Sequence, residues 1–201
     1  IQRWAVKDVG FELLASITGH NGWLQCFAFV GSDDRCVSGD SWGRVNCWTY
    51  SDVEKSEPLW SVTEALAGWI RAMTVSPDGS LVAIGGNDAV IRILSTGDGT
   101  LVREIAGVPH EVFSLAFHPA GKTLAAGDLR GTIREFETAT GKQIREIAAA
   151  GMYQLNHMQD CGGVRKLAFN ADGSLLVAGG MKNPSGGFAQ GSPVLQVVDW
   201  T

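Results

Sequence analysis

The chain has 201 residues, 45% of them hydrophobic and 18% charged, with 26 Gly against 6 Pro. That apolar share can fill a core, and a Gly excess without a matching Pro excess fits many tight turns better than disorder. The net charge of −5 argues against a nucleic-acid partner, which calls for a basic patch or stripe, and no window reaches the roughly 18 uninterrupted apolar residues of a membrane span.

Taken in order, the chain is a series of apolar runs of about five residues, rich in Val, Ile, Leu, Phe and Thr and bounded by Gly, Pro and Asp, which predicts strands. Ile1 to Trp4 and Glu12 to Ile17 read as two strands closing one unit. The next unit, from Trp23 to about Val62, has WLQCFAF, RCVSG, RVNCW and LWSV, and another runs from Trp69 to Ile105. From Val112 to Ile147 comes the most regular copy: VFSLAF, TLAAG, TIREF and QIREI, joined by HPAG, DLRG and ETATG. A final unit starts at Val164 and stops in its third strand, VLQVVDW. The total is 17 expected strands. Two stretches break the rhythm, Ala148 to Gly163 and Met181 to Pro193, and both read as long loops emerging on the same face.

The last residues of the first strands, Phe29, Val75, Phe117 and Phe169, lie 46, 42 and 52 residues apart. Gly79, Gly121 and Gly173 follow three of these anchors by four residues, and Gly39, Gly85, Gly127 and Gly179 end every second strand. A period of roughly 40–45 residues with four strands per copy predicts an all-β fold of propeller blades. The expected division is the end of a blade at 1–19, blades at 20–66, 67–107 and 108–150, and an incomplete blade with loop insertions at 151–201. Partial blades at both ends of about four to five favour part of a larger propeller over a unit that closes on itself.

LAFHPAGKTLAAGDLRGTIREFETATGKQI resembles a WD repeat, and LAFNADGSLLVAGG and MTVSPDGSLVAIGGNDAVIRILSTGDG share its shape. GGMKNPSGGFAQGSPVLQVVDW is particularly similar to bacterial WD-repeat proteins. The resemblance implies a rigid, mostly non-catalytic platform for protein partners. Members often carry a Gly-His before the first strand, hydrogen-bonded to an Asp in the second turn. Gly19-His20 is present, but the corresponding Asp position is Trp42; Asp88 occupies it in the following unit, where Leu66 replaces the His, and the regular copy has Val108 and Arg130. No unit is therefore expected to keep the pair. The Trp that ends the third strand stands at Trp4 and Trp48 and is Leu94, Phe136 and Val198 elsewhere.

In a propeller, the residues just before the first strands (Trp23, Trp69, Glu111 and Gly163) ring the mouth of the central channel. Two Trp there either plug the gaps between blades or bind a partner. Two positions on, Gln25, Arg71, Phe113 and Arg165 line the channel or its rim. Arg71 and Arg165 are either solvated strand charges or a local basic spot suited to a carboxylate. Trp42, at the tip of a turn, should project on the same face. The expected partner-binding residues are thus Trp23, Trp42, Trp69, Arg71, Phe113 and Arg165.

Neither GxSxG nor HExxH nor a phosphate-cradling Gly loop occurs, and His110, His118 and His157 have no nucleophile or metal partner nearby in sequence. The four Cys, at 26, 36, 47 and 161, show no CxxC spacing. Cys36 reads as a small core residue that could face Cys47 across a hairpin. No catalytic residue, metal or cofactor is expected. The leading expectation is a non-catalytic interaction scaffold with a protein or peptide partner; the alternative is the propeller portion of a larger enzyme or redox protein.

Overall fold

The structure is a computed structural model and describes every residue except Ala15, Ser32, Asp33, Val53, His157 and 186–189. His157 and the tip of the Met181 to Pro193 stretch thus lie outside the described residues. All regular structure among those described is β. β1 (Trp4–Val6) pairs with β2 (Phe11–Leu13). Their ladder continues outward through Leu14 N to Arg3 O and Ile17 N to Ile1 O, each 2.8 Å, and so reaches the expected residues.

Three complete antiparallel meanders follow. The first comprises β3 (Leu24–Phe29), β4 (Arg35–Asp40), β5 (Val45–Thr49) and β6 (Trp60–Val62). The second is β7 (Ile70–Val75), β8 (Leu81–Gly86), β9 (Ile91–Ser95) and β10 (Leu101–Ile105). The third is β11 (Val112–Phe117), β12 (Thr123–Asp128), β13 (Thr132–Glu137) and β14 (Gln143–Ala148). These are the four-stranded sheets expected of propeller blades. No sheet closes on itself among the described residues.

The core lies between sheets, not within them. One apolar slab joins the first two meanders through Val37, Val45, Ile70 and Ile84; the next joins the second and third through Ile91, Ile93, Val112 and Phe117. The Gly next to the end of β8 and of β12 follows from this packing. A Cβ on Gly85 would sit 2.8 Å from Val112 of the next sheet, and one on Gly127 would sit 2.5 Å from Val164.

Both irregular stretches fold differently from expectation. Within Ala148 to Gly163, β15 (Tyr153–Asn156) and β16 (Gln159–Gly162) form a hairpin. After β17 (Lys166–Phe169), β18 (Leu175–Ser185) and β19 (Gln190–Asp199) run on through the second stretch, pairing Met181 with Pro193 and Lys182 with Ser192. The chain thus has 19 strands among its described residues instead of the expected 17. The two extensions meet: Asn183 N donates to Gly151 O at 3.1 Å. Among the described residues, each extension pairs backbone groups within its own hairpin.

Two further expectations are corrected. Opposite Cys36 stands Trp48, and opposite Cys47 stands Val37, so alternation puts the two thiols on opposite faces of the sheet and they cannot bridge. None of the four Cys is in a disulfide, and burial raises the pKa of Cys26 and Cys36 to about 12 and that of Cys47 to about 11.

The His–Asp pair is kept in one sheet, through Asp40 and not through position 42. Asp40 Oδ2 accepts from His20 Nδ1 at 2.9 Å, and His20 Nε2 lies 2.7 Å from Ser38 Oγ, which also accepts from Trp48 Nε1 at 2.7 Å. Asp40 Oδ1 accepts the backbone N–H of Trp42 and Arg44 at 2.9 and 3.0 Å. The carboxylate holds the turn from its first residue, two positions before the family register, and Trp42 is released to the tip.

Candidate partner-binding surface

The site begins with a distortion repeated in each inner strand. Pairing slips by one residue between Leu24 and Cys26, between Ile70 and Ala72, and between Val112 and Ser114. Each slip is a β-bulge that leaves one residue unpaired and re-aims its side chain. The bulged residues are Gln25, Arg71 and Phe113. Arg165 stands at the matching place in the last sheet, just before Lys166, which pairs with Gly179 as Ala72 pairs with Gly85. Because β3, β7, β11 and β17 lie side by side, the four side chains come to one level.

The six residues expected from sequence form a continuous strip. Trp23 and Trp69 meet edge to face with ring centroids 6.0 Å apart. Together with Trp42, Asn21, Gly22 and Ser41 they line an open cleft of about 300 Å³. The guanidinium of Arg71 lies 5.0 Å from the ring of Trp69 and 5.0 Å from that of Phe113, and Arg165 lies 4.1 Å from Phe113. A second cleft, of about 390 Å³, opens between the inner strands beside Arg71, Phe113 and Lys166.

This geometry bears on the readings left open by the sequence. Trp23 is 73% exposed and Trp42 66% exposed, so neither plugs a gap between sheets; Trp69 is half-buried beneath Trp23. Arg71 is not a freely solvated strand charge, whereas Arg165 is exposed and stacked on Phe113. Arg71 Nε donates to Asn87 Oδ1 at 2.7 Å and lies 3.7 Å from Glu111. Arg165 has no carboxylate within ion-pair distance among the described residues. Desolvation against its neighbours, together with the like charge of Arg71, holds its pKa below the ordinary guanidinium value, with Glu111 acting in the opposite sense.

The hairpin β15–β16 borders the strip. A Cβ on Gly163, where the hairpin ends, would lie 3.0 Å from the ring of Phe113. Arg130 of the β12–β13 turn reaches the hairpin, 3.4 Å from Asp160 and over the ring of Tyr153. Leu155 is exposed on it. Sequence reasoning named the insertion but not this surface; the alternation of Tyr153 and Leu155 with Gln154 and Asn156 was the available signal. His118 bridges turns, accepting from Ala120 N and lying 3.2 Å from Gly173 O, and is not part of the strip.

Four-stranded meanders packed face to face, with aligned inner strands, define a repeat protein built from propeller blades. The chain belongs to the WD40 family: the model of the WD domain, G-beta repeat, matches residues 11–49, 57–102 and 99–137, more than half of the sequence. The first matched window begins at β2 and ends with β5, so the sequence repeat is offset by one strand from the sheet.

Three curated relatives share part of it. Small ribosomal subunit protein RACK1y of Oryza sativa subsp. japonica is 34% identical over 105 residues, which are 50% of this chain and 29% of that protein. Cilia- and flagella-associated protein 52 of Chlamydomonas reinhardtii is 27% identical over 104 residues, 52% of this chain and 16% of the relative. Apoptotic protease-activating factor 1 of Homo sapiens is 32% identical over 88 residues, 40% of this chain and 7% of the relative. The matched segments span less than a third of each relative. All three relatives are eukaryotic and give no support to the bacterial likeness expected for the β18–β19 phrase.

Proposed function

We propose that this chain is a non-catalytic interaction scaffold that receives a protein or peptide partner on the strip from Trp42 to Arg165. WD40 proteins generally serve as interaction platforms, and three blades spanning 20–66, 67–107 and 108–150 would supply the rigid support here. The observation that carries the reading is the strip itself, in which two Trp with most of their surface in water lead into stacked Arg and Phe side chains. Large aromatic and Arg side chains of this kind dominate the energetics of protein interfaces, and the bulges fix Arg71 and Phe113 on strands, so little ordering of these two is needed on binding.

The test is affinity capture from cell extract with the wild type and with the Trp23→Ala/Trp42→Ala/Trp69→Ala variant, whose fold is checked by circular dichroism. Partners held by the wild type should be lost from the variant. Identical capture by both proteins overturns the proposal.

A further inference from the structure

We infer that the segment received by the strip is acidic as well as apolar: a bulky side chain enters the Trp cleft while an Asp or Glu carboxylate beside it lies on Arg165 and Arg71. The inference rests on the docking reading above and adds the chemistry of the partner. It starts from a charge imbalance. Arg71 and Arg165 share one ring, Phe113, at 5.0 and 4.1 Å, and Lys166 lines the same cleft as Arg71 and Phe113.

Against these three cations the described residues set one carboxylate within ion-pair distance, Glu111, at 3.7 Å from Arg71. The arrangement stands out in a chain of net charge −5. An incoming carboxylate would relieve the repulsion between the guanidiniums and meet their flat, forked donors, the geometry that Arg supplies best.

The apolar half of the requirement comes from the adjoining cleft. Trp23, Trp42 and Trp69 present ring surface, and Arg71 joins the two halves, because its guanidinium stacks on Trp69 on one side and Phe113 on the other. A partner cation is disfavoured at the same place. Arg71 already lies against Trp69, and the surrounding field is positive, so the aromatic rings are not open to a lysine or quaternary ammonium group as an isolated aromatic cage would be.

A random linear peptide library displayed on phage, selected on the intact protein, provides the probe. Enriched peptides are then resynthesised with each Glu or Asp changed to Gln or Asn. The expected result is an acidic residue next to an aromatic or branched aliphatic one. Neutralising it should weaken binding roughly tenfold, the size of a charge-assisted hydrogen bond. Arg165→Gln should remove the preference of the wild type for the acidic peptide, Arg165→Lys should keep part of it, and Trp23→Ala should weaken acidic and neutral peptides alike.

Peptides that need Trp23 and Trp42 but are indifferent to the carboxylate, or that are basic, would overturn this inference and leave the docking reading standing. Peptides indifferent to Trp23 and Trp42, or a library from which nothing is enriched, would overturn both.

Discussion

The first and third meanders close the same turn with the same carboxylate and a different donor. In β3–β6, Asp40 Oδ1 accepts from the residues two and four ahead, and Oδ2 takes His20. In β11–β14, Asp128 Oδ1 accepts from Arg130 N and Thr132 N, both at 2.9 Å, and Oδ2 takes Arg134. The second meander uses Arg as well, with Arg92 at 2.6 Å from Asp88. Register explains the exchange. Opposite Ser38 stands Asn46, where Arg134 stands opposite Ala126 and Arg92 opposite Ile84.

Asn46 bonds instead to Ser61 and to Gly19 O. The Oδ2 donor that the two Arg sheets draw from within the blade therefore comes, in the first meander, from the segment before it. Where an Arg is present the His position is apolar, Leu66 or Val108, and both of those residues are buried.

The difference should be largest when the carboxylate is removed. In Asp128→Ala, the Arg134 side chain, only 7% exposed, is left among the described residues with the exposed Glu146 as its one ion-pair partner. The expected loss is about 3–5 kcal/mol, that of a buried pair broken on one side. Asp40→Ala leaves the His20 imidazole with Ser38 as its remaining partner and takes the acceptor from the backbone N–H groups of Trp42, Arg44 and, at 3.4 Å, Gly22, for about 2–3 kcal/mol. Urea unfolding of the two variants measures both; equal losses would mean that the identity of the donor does not matter.

The turns themselves supply the next contrast. Gly43 and Gly131 hold the same place, each donating to the Asp carbonyl at 3.3 Å, with φ of +81° and +77°. A Cβ at Gly43 would fall 1.8 Å from Leu66 O, whereas at Gly131 the nearest atom is Tyr153 Cβ at 3.3 Å. Gly131→Ala should then carry little beyond the left-handed backbone, about 1 kcal/mol, and Gly43→Ala about 2–3 kcal/mol, because backbone must shift as well. Thermal melts that rank the two the other way would show that the loop bearing Leu66 yields easily.

A smaller effect is expected from exchanging the donors. His20→Val should cost about 1–2 kcal/mol, since Oδ2 of Asp40 loses its side-chain donor while the Oδ1 bonds remain. Adding Asn46→Arg supplies the group the other two sheets use and should recover part of that loss in the same unfolding measurement. No recovery would mean that the surroundings of Trp48, whose ring a Cβ on Gly19 would approach within 2.8 Å, exclude the longer side chain.

These contrasts also show what could be read from the sequence. The sheets were legible because four copies repeat the same anchors, and the strip because residues at equal distances before those anchors share a level once inner strands align. Asp40 was missed because counting in the family register led to Trp42, while the turn had moved its carboxylate two residues earlier. The repeats carried the signal, since GD occurs at Gly39-Asp40 and again at Gly127-Asp128. The hairpin β15–β16 was missed because its alternation, Tyr153 and Leu155 against Gln154 and Asn156, runs for only four residues among Gly, Asn and Asp. Extension of β18 was hidden by Pro184 and Pro193, which sit toward the tip of the long hairpin, where Pro is tolerated.

The finest test of the comparison is acid. Burial works against ionisation of Asp40, but the His20 bond and the backbone N–H groups of Arg44 and Trp42 outweigh it, and the pKa falls below the ordinary carboxylate value. A depressed folded pKa stabilises the protein fully above the unfolded value, about 3.9, and this contribution fades as pH drops through the folded value. The stability gap between wild type and Asp40→Asn should therefore narrow as pH falls below about pH 4. Exposed carboxylates such as Asp78, Asp98 and Asp172 are likewise lowered by hydrogen bonds within their own turns. They are common to both proteins and cancel in the difference. Unfolding midpoints measured at descending pH check the expectation, and a gap that persists undiminished into acid would assign the role of Asp40 to shape and hydrogen bonding and not to its charge.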